Sequence, residues 1–365
     1  MPIAFDAARW ERVRRVYADW WAGRLQRPLI AATLTGFEPP GPQPPLPFHH
    51  FTSFYGLETP VDRILDVWEW KLAEQRYLGD AFPSLWLNFG PGVMAAFLGC
   101  ELHNSPAGGT AWFHPRELRE AADLHFSVDE NNPWWRRIVE IARAADARFG
   151  GLLQVGMTDL GGNLDIVSSF RPGEKLLLDL YDCPGEIERL VWEAHRCWWQ
   201  CFERLHACLP HNPGYTAWTP IFSAEPYYML QCDFCYMIGP EMFDRFVKPE
   251  LAASCRRLKN AFYHLDGPGQ LPHLDSLLEI PELKGVQWVP GAGQPDITEW
   301  PEVYRKIHKA GKLIQMFSNQ SKLGFEALDA IADQIGSGRG IVMIGGADRR
   351  EEERVAALLA RHGAL

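Results

Sequence analysis

The chain has 365 residues, is 47% hydrophobic, and sets 46 acidic against 36 basic side chains for a net charge of −10. That length suits one α/β barrel with insertions, and the apolar fraction is enough for a large core. The acidic balance, with no basic block, argues against a nucleic-acid or anionic-membrane partner.

The opening MPIAFDAARWERVRRVYADWW predicts a charged amphipathic helix. It lacks the apolar run of about 7–15 residues that marks a signal peptide. No later stretch reaches the ~18 apolar residues of a membrane span, so none is expected. The eight cysteines are scattered, with Cys197, Cys201 and Cys208 in one helical stretch, which is no disulfide framework. A cytoplasmic protein is expected. The fifteen Trp suit cores, interfaces or stacking on rings and sugars.

A short apolar run, PLIAATL, follows the first helix, and the Pro-rich GFEPPGPQPPLPFHH (36–50) then predicts a loop with extended pieces. Residues 1–58 thus read as an N-terminal helix, a strand and a loop. Helices are expected over 59–77, 115–124, 133–148, 184–209, 240–260, 300–309 and 350–361, several with Pro in the first turn. Strands are expected over 28–34, 85–89, 152–157, 215–219, 261–265, 286–289, 313–317 and 341–344. The alternation predicts α/β with a parallel sheet. Near eight strands, a closed (β/α)8 TIM barrel with an N-terminal helical extension is expected, as one domain over 1–365. In such a barrel catalytic groups sit at the carboxyl ends of strands.

The most informative stretch is FYHLDGPG. An extended chain puts His264 and Asp266 on one side, and Gly267 and Gly269 permit a tight turn near a ligand. A His-x-Asp pair can hold a divalent metal or pair a proton acceptor with its orienting partner. His273 and Asp275 repeat the spacing but read as helical, with packing and surface roles. Gln287 and Trp288 end the next strand and are expected to line the pocket. Cys232 and Cys235 form a lone CxxC without the second pair that a structural zinc site needs. Asp233 between them, with Tyr236 nearby, is a candidate substrate contact. In QVGMTDLGGNLDIVSSFRPGEKLLLDLYDCP, Asp159, Gly161, Gly162 and Asn163 suit a ligand-contacting loop, and Arg171 either pairs an acidic substrate or a neighbouring acid. No GxGxxG, P-loop or GxSxG is present.

At these residues the chain resembles the uroporphyrinogen decarboxylase-type barrel superfamily, which includes the decarboxylase, corrinoid and coenzyme M methyltransferases and, more distantly, cobalamin-independent methionine synthase. DLGGNLDIVSSFRPGEKLLLDLYDCP resembles its Gly-rich turn, helix and "G-x-x-x-L-x-x-D-L-x-D-x-P" stretch. IGPEMFDRFVKPEL resembles its "I-S-P-x-x-F-x-x-F-x-x-P" helix, and FYHLDG stands where the family has "H-x-C-G". The likeness runs over about residues 60–350, in order. It implies methyl transfer or related one-carbon chemistry on a small molecule, with zinc held by His and two Cys and a corrinoid protein as partner. Here Asp266 replaces the first Cys, and the later strand end, VMIGGADR, has no Cys. A remaining metal set would be His264 and Asp266 with a third donor such as Asp348.

Methyl transfer leads, with His264 as ligand or base, Asp266 and Asp233 beside it, and Asp159, Asn163, Tyr236, Gln287 and Trp288 binding substrate. The cofactor is open; a divalent metal such as zinc is the candidate. A decarboxylase would need Arg171 and the N-terminal arginines in the pocket. A Trp-rich sugar-cleaving barrel would use Asp233 and Asp266 as its carboxylate pair. A non-catalytic small-molecule binder is the fourth reading. The fold alone does not choose among them.

Overall fold

In the computed structural model, which describes residues 3 and 5–365, strand β1 (Leu29–Thr35) lies parallel beside β11 (Ile341–Asp348), so the two ends of the chain share one sheet. The strands between them are β2 (Arg76–Gly79), β3 (Ser84–Trp86), β4 (Glu101–Ser105), β5 (Thr110–His114), β6 (Gln154–Gly156), β7 (Tyr227–Gln231), β8 (Asn260–Asp266), β9 (Leu283–Val289) and β10 (Leu313–Phe317). Seven strands form one sheet in the order β2-β1-β11-β10-β9-β8-β7, parallel except for the β1–β2 pair. Strands β3 and β6 form a separate parallel pair, and β4 and β5 an antiparallel hairpin.

The fold is mixed α/β around a central parallel sheet, but a continuous closed ladder of eight strands is not found among the described residues. The expected strand at 215–219 accounts for part of the break. Tyr215 makes one antiparallel bridge to Ser223, and Pro220 lies between them. Proline cannot donate to a ladder. Gly156 is nevertheless followed by Met157, whose N–H donates to Thr216 O at 2.9 Å, so this segment flanks β6.

The first helix, Ala7–Trp21, is capped by Asp6, which accepts from the Arg9 N–H. It buries Trp10, Val13, Tyr17 and Trp20, a single stripe at helical spacing. Trp20 stacks on Phe262 of β8 at 5.9 Å, and Tyr17 meets Phe82 and Phe222. Phe262 shares its sheet face with His264 and Asp266 but lies nearer the start of the strand. The helix therefore covers the end of the sheet opposite those two residues. Fully burying side chains of this size stabilises by about 1.5–3 kcal/mol each.

Several helices differ from expectation. Helix Val61–Ala73 stops short and residues 76–79 form β2 instead, pairing with β1. The 115–124 segment is irregular apart from a 3-10 turn at Ala121–Asp123. The 240–260 helix is two pieces, Pro240–Phe246 and Lys248–Arg257, because Pro249 cannot supply an N–H to a continuous helix. No described helix is long and apolar enough to cross a membrane.

Candidate functional site

Four glutamine or histidine side chains form one row across the sheet. Gln231 of β7 is in register with His264 of β8, His264 with Gln287 of β9, and Gln287 with Gln315 of β10. Being in register, all four lie on one face of the sheet. His264 Nδ1 donates to the Gln287 Oε1, which can only accept. That bond leaves Nε2 as the unprotonated nitrogen, directed toward Asp266 Oδ2 at 3.9 Å. Trp218 packs edge-on against the imidazole at 4.9 Å. Burial holds the His264 pKa below that of a free histidine, with Asp266 opposing the shift.

Asp233 completes the group. It opens the 3-10 turn Asp233–Met237 directly after β7, so two adjacent strand ends deliver three ligand-type side chains. One donor atom each from Asp233, His264 and Asp266 lie within 4.8 Å of one another. Asp233 is positioned by Asp165, whose carboxylate accepts the N–H groups of Asp233 at 3.0 Å and Phe234 at 2.8 Å. Desolvation, with Asp159 and Asp266 nearby, pushes the Asp233 pKa up to about 7. Asp165 is raised to about 7, by desolvation and then by Asp233, and Asp159 to about 6, chiefly by desolvation. Asp159 accepts from the Gly161 N–H at 2.8 Å and, more weakly, from Gln231 Nε2. Gly162 is needed where β7 approaches: a Cβ there would stand 2.2 Å from Gln231 O.

The remaining expected residues divide into those near the cluster and those behind it. Tyr236 lies over the GPG turn at the mouth, where a Cβ on Gly269 would come within 2.7 Å of its ring. Asn163 is in a deeper layer, donating to Glu250 Oε2 at 2.7 Å. Trp288 is corrected: one residue after Gln287, it faces the other side of the sheet and packs against Trp300 at 5.1 Å. Asp348 is not the third metal-type donor. It caps the C-terminal helical segment, accepting from Arg350, and Asp233 takes that place. Arg171 is buried in a two-bond pair with Asp179, at 2.8 Å for Nη2, and also donates to Arg119 O. The N-terminal arginines are used elsewhere too: Arg12 donates to Ala364 O, and Arg27 pairs with Asp80. Cys232 and Cys235 are buried thiols with pKa values raised by desolvation. His273 stacks on Phe243 at 4.7 Å, in a packing role.

Asp165, Gln231 and the β4–β5 hairpin were not legible as site elements. The signal for the hairpin was Gly108-Gly109 between two short runs. The signal for Gln231 was the aromatic run YYML before it.

The sequence matches no family model, and no curated protein resembles it significantly. Among solved structures, a methyltransferase from Methanosarcina mazei is similar over 96% of this chain and 98% of that one. Its TM-score is 0.60, at 13% identity. That likeness establishes a common α/β fold over nearly the whole of both chains. Macrophomate synthase overlaps 62% of this chain and 81% of its own, at 11% identity, with a TM-score of only 0.24.

Proposed function

We propose that this chain is a divergent uroporphyrinogen decarboxylase-like barrel enzyme that performs methyl transfer or related one-carbon chemistry on a small molecule. The observation that carries the reading is the convergence of Asp233, His264 and Asp266 within 4.8 Å at two neighbouring strand ends. In an open α/β sheet or barrel, the carboxyl ends of the strands are where reactive groups collect.

The donor set suits a divalent ion such as zinc. Asp233 and Asp266 meet at one recess with no lysine or arginine paired to either among the described residues, and the free imidazole nitrogen points into it. Asp233, His264 and Asp266 would hold the ion, which would supply Lewis acidity to a bound nucleophile. Gln287 fixes the tautomer and orientation of His264. Asp165 holds the Asp233 backbone, and Tyr236 covers the turn that carries Asp266. An N/O/O set is harder than the family's thiolate-rich one, which favours oxygen or nitrogen donors in the substrate over a thiol. A corrinoid protein as methyl carrier, and a cytoplasmic setting, belong to the same proposal.

Decarboxylation loses support, because Arg171, Arg12 and Arg27 are engaged away from this recess. Most of the support that the Trp count lent to a sugar site goes to packing, since Trp20, Trp198 and Trp288 are core residues; Trp218 and Trp112 stand beside the recess.

Elemental analysis of protein purified without chelator tests the reading. About one divalent ion per chain is expected in the wild type and none in His264→Ala. A metal-free wild-type protein would sink the metal-centred mechanism, and a metal-loaded protein inert toward methyl donors would sink methyl transfer.

A further inference from the structure

Beside the cluster opens a cleft of about 550 Å³, bounded by the β4–β5 hairpin on one side and the Asp233–Met237 turn on the other. Its acidic lining is Asp165, Glu174 and Asp233; His114 is the one basic side chain there, and neither lysine nor arginine lines it among the described residues. Apolar side chains stand on both sides: Trp112 and Phe113 on the hairpin, Phe234 and Met237 on the turn, with Leu177 completing the lining. Trp112 is 58% exposed, an unusual place for an indole.

A second observation points to a ligand independently of the acids. Gln231 lines the same cleft and is only 6% exposed. Its Nε2 turns to Asp159, and its Oε1 accepts no hydrogen bond from the described residues. That carbonyl is open to the cleft, where a ligand N–H can reach it. Asp165, for its part, is tied to backbone N–H groups and not to a cation.

We propose that this cleft binds an organic ammonium with an apolar body, its N–H groups meeting Asp233, Asp165 and the Gln231 carbonyl and its apolar part lying along Trp112. That the ammonium compound is the substrate rests on the reading of Asp233, His264 and Asp266 as the reactive centre. An anion would enter a recess of like charge with low-dielectric walls. A neutral ligand would leave Asp165 and Glu174 without a cation. An indole face adds attraction for a cation. The Gln231 oxygen selects an ammonium that still carries hydrogen over a quaternary one.

The test is calorimetric titration of the full chain, with its metal content measured, in mildly alkaline low-salt buffer where the carboxylates are charged. The probes are benzylammonium, benzyltrimethylammonium, benzyl alcohol and benzoate, which share one apolar body. Benzylammonium is expected to bind at least about tenfold tighter than benzyl alcohol or benzoate. Trp112→Ala should weaken it about five- to tenfold, and Gln231→Leu by a similar factor. Trp112 is exposed, so its variant keeps the fold and decides the matter if Gln231→Leu does not fold. His264→Ala should lose metal and retain benzylammonium binding. Absence of saturable binding, benzoate or benzyl alcohol binding as tightly, or wild-type affinity in Trp112→Ala would overturn the proposal. Tighter binding of benzyltrimethylammonium would overturn the role of Gln231. The two readings separate cleanly: benzylammonium binding without metal keeps the cleft and removes the metal centre, and metal without benzylammonium binding does the reverse.

Discussion

His264 and Gln287 stand in register on adjacent strands, and the carboxamide oxygen of Gln287 takes the Nδ1 proton of His264. This one bond decides which imidazole nitrogen faces Asp233 and Asp266. Gln287→Leu is expected to leave the fold intact, because the leucine fills the same buried volume. It should cost about 10–100-fold in metal affinity, the usual effect of losing an orienting partner. Competition with a chromophoric chelator measures it; unchanged affinity would show that Gln287 does not orient the ligand.

Glu250 gives a pH-dependent prediction. It is buried behind the site, accepts from Asn163, and burial pushes its pKa up to about 8 from 4.5. A carboxyl raised in the folded state binds its proton more tightly there than in the unfolded chain. Its contribution to stability is therefore largest below the unfolded value and is lost as pH rises from about 4.5 to about 8. Glu250→Gln removes that loss, and the new amide can donate to Asn163 Oδ1, which has no partner among the described residues. Thermal melts across that window should show a flatter pH dependence for the variant and a higher Tm than wild type at the alkaline end. Parallel curves would refute the assignment.

Arg171 is a structural residue in this fold. Its guanidinium is buried against Asp179, with Arg119 O and Glu120 completing its contacts. Arg171→Ala should destabilise by about 3–5 kcal/mol, the cost of leaving Asp179 buried without its partner. Chemical denaturation gives the number. Metal content per folded chain should be unchanged; a selective loss of metal or ligand binding in a stable variant would return Arg171 to the site.

Gly162 holds the loop of Asp159 and Asp165 against β7. An added Cβ would meet Gln231 O at 2.2 Å and Cys232 Cα at 3.1 Å, both backbone atoms that cannot swing aside. Gly162→Ala is expected to cost about 1–3 kcal/mol. It should also loosen Asp233, which Asp165 tethers, and so weaken metal binding. A variant as stable as wild type would mean that the loop and strand are not held at this spacing.

Much of the secondary structure is readable in the chain because it depends on near neighbours. Pro at the start of helices Pro133–Phe149 and Pro184–Ala207, and the apolar runs of β8, β9 and β10, are local signals. The two-residue spacing of His264 and Asp266 likewise puts them on one face, because the period of a strand is local geometry. The same period applies to Trp288, but it does not say which face looks inward. That depends on the helices packed outside the sheet, where Trp300 meets it. Asp233 reaches His264 only because β7 and β8 are paired, and Arg171 meets Asp179 of the helix Glu174–Asp182 that follows it, not a ligand. Pairing between strands far apart in sequence, or between a strand and a loop, is chosen by burial of the whole core and by satisfaction of buried polar groups. No short stretch of sequence carries that information, so the residue types of the site are legible in the chain and their meeting is decided by the tertiary fold.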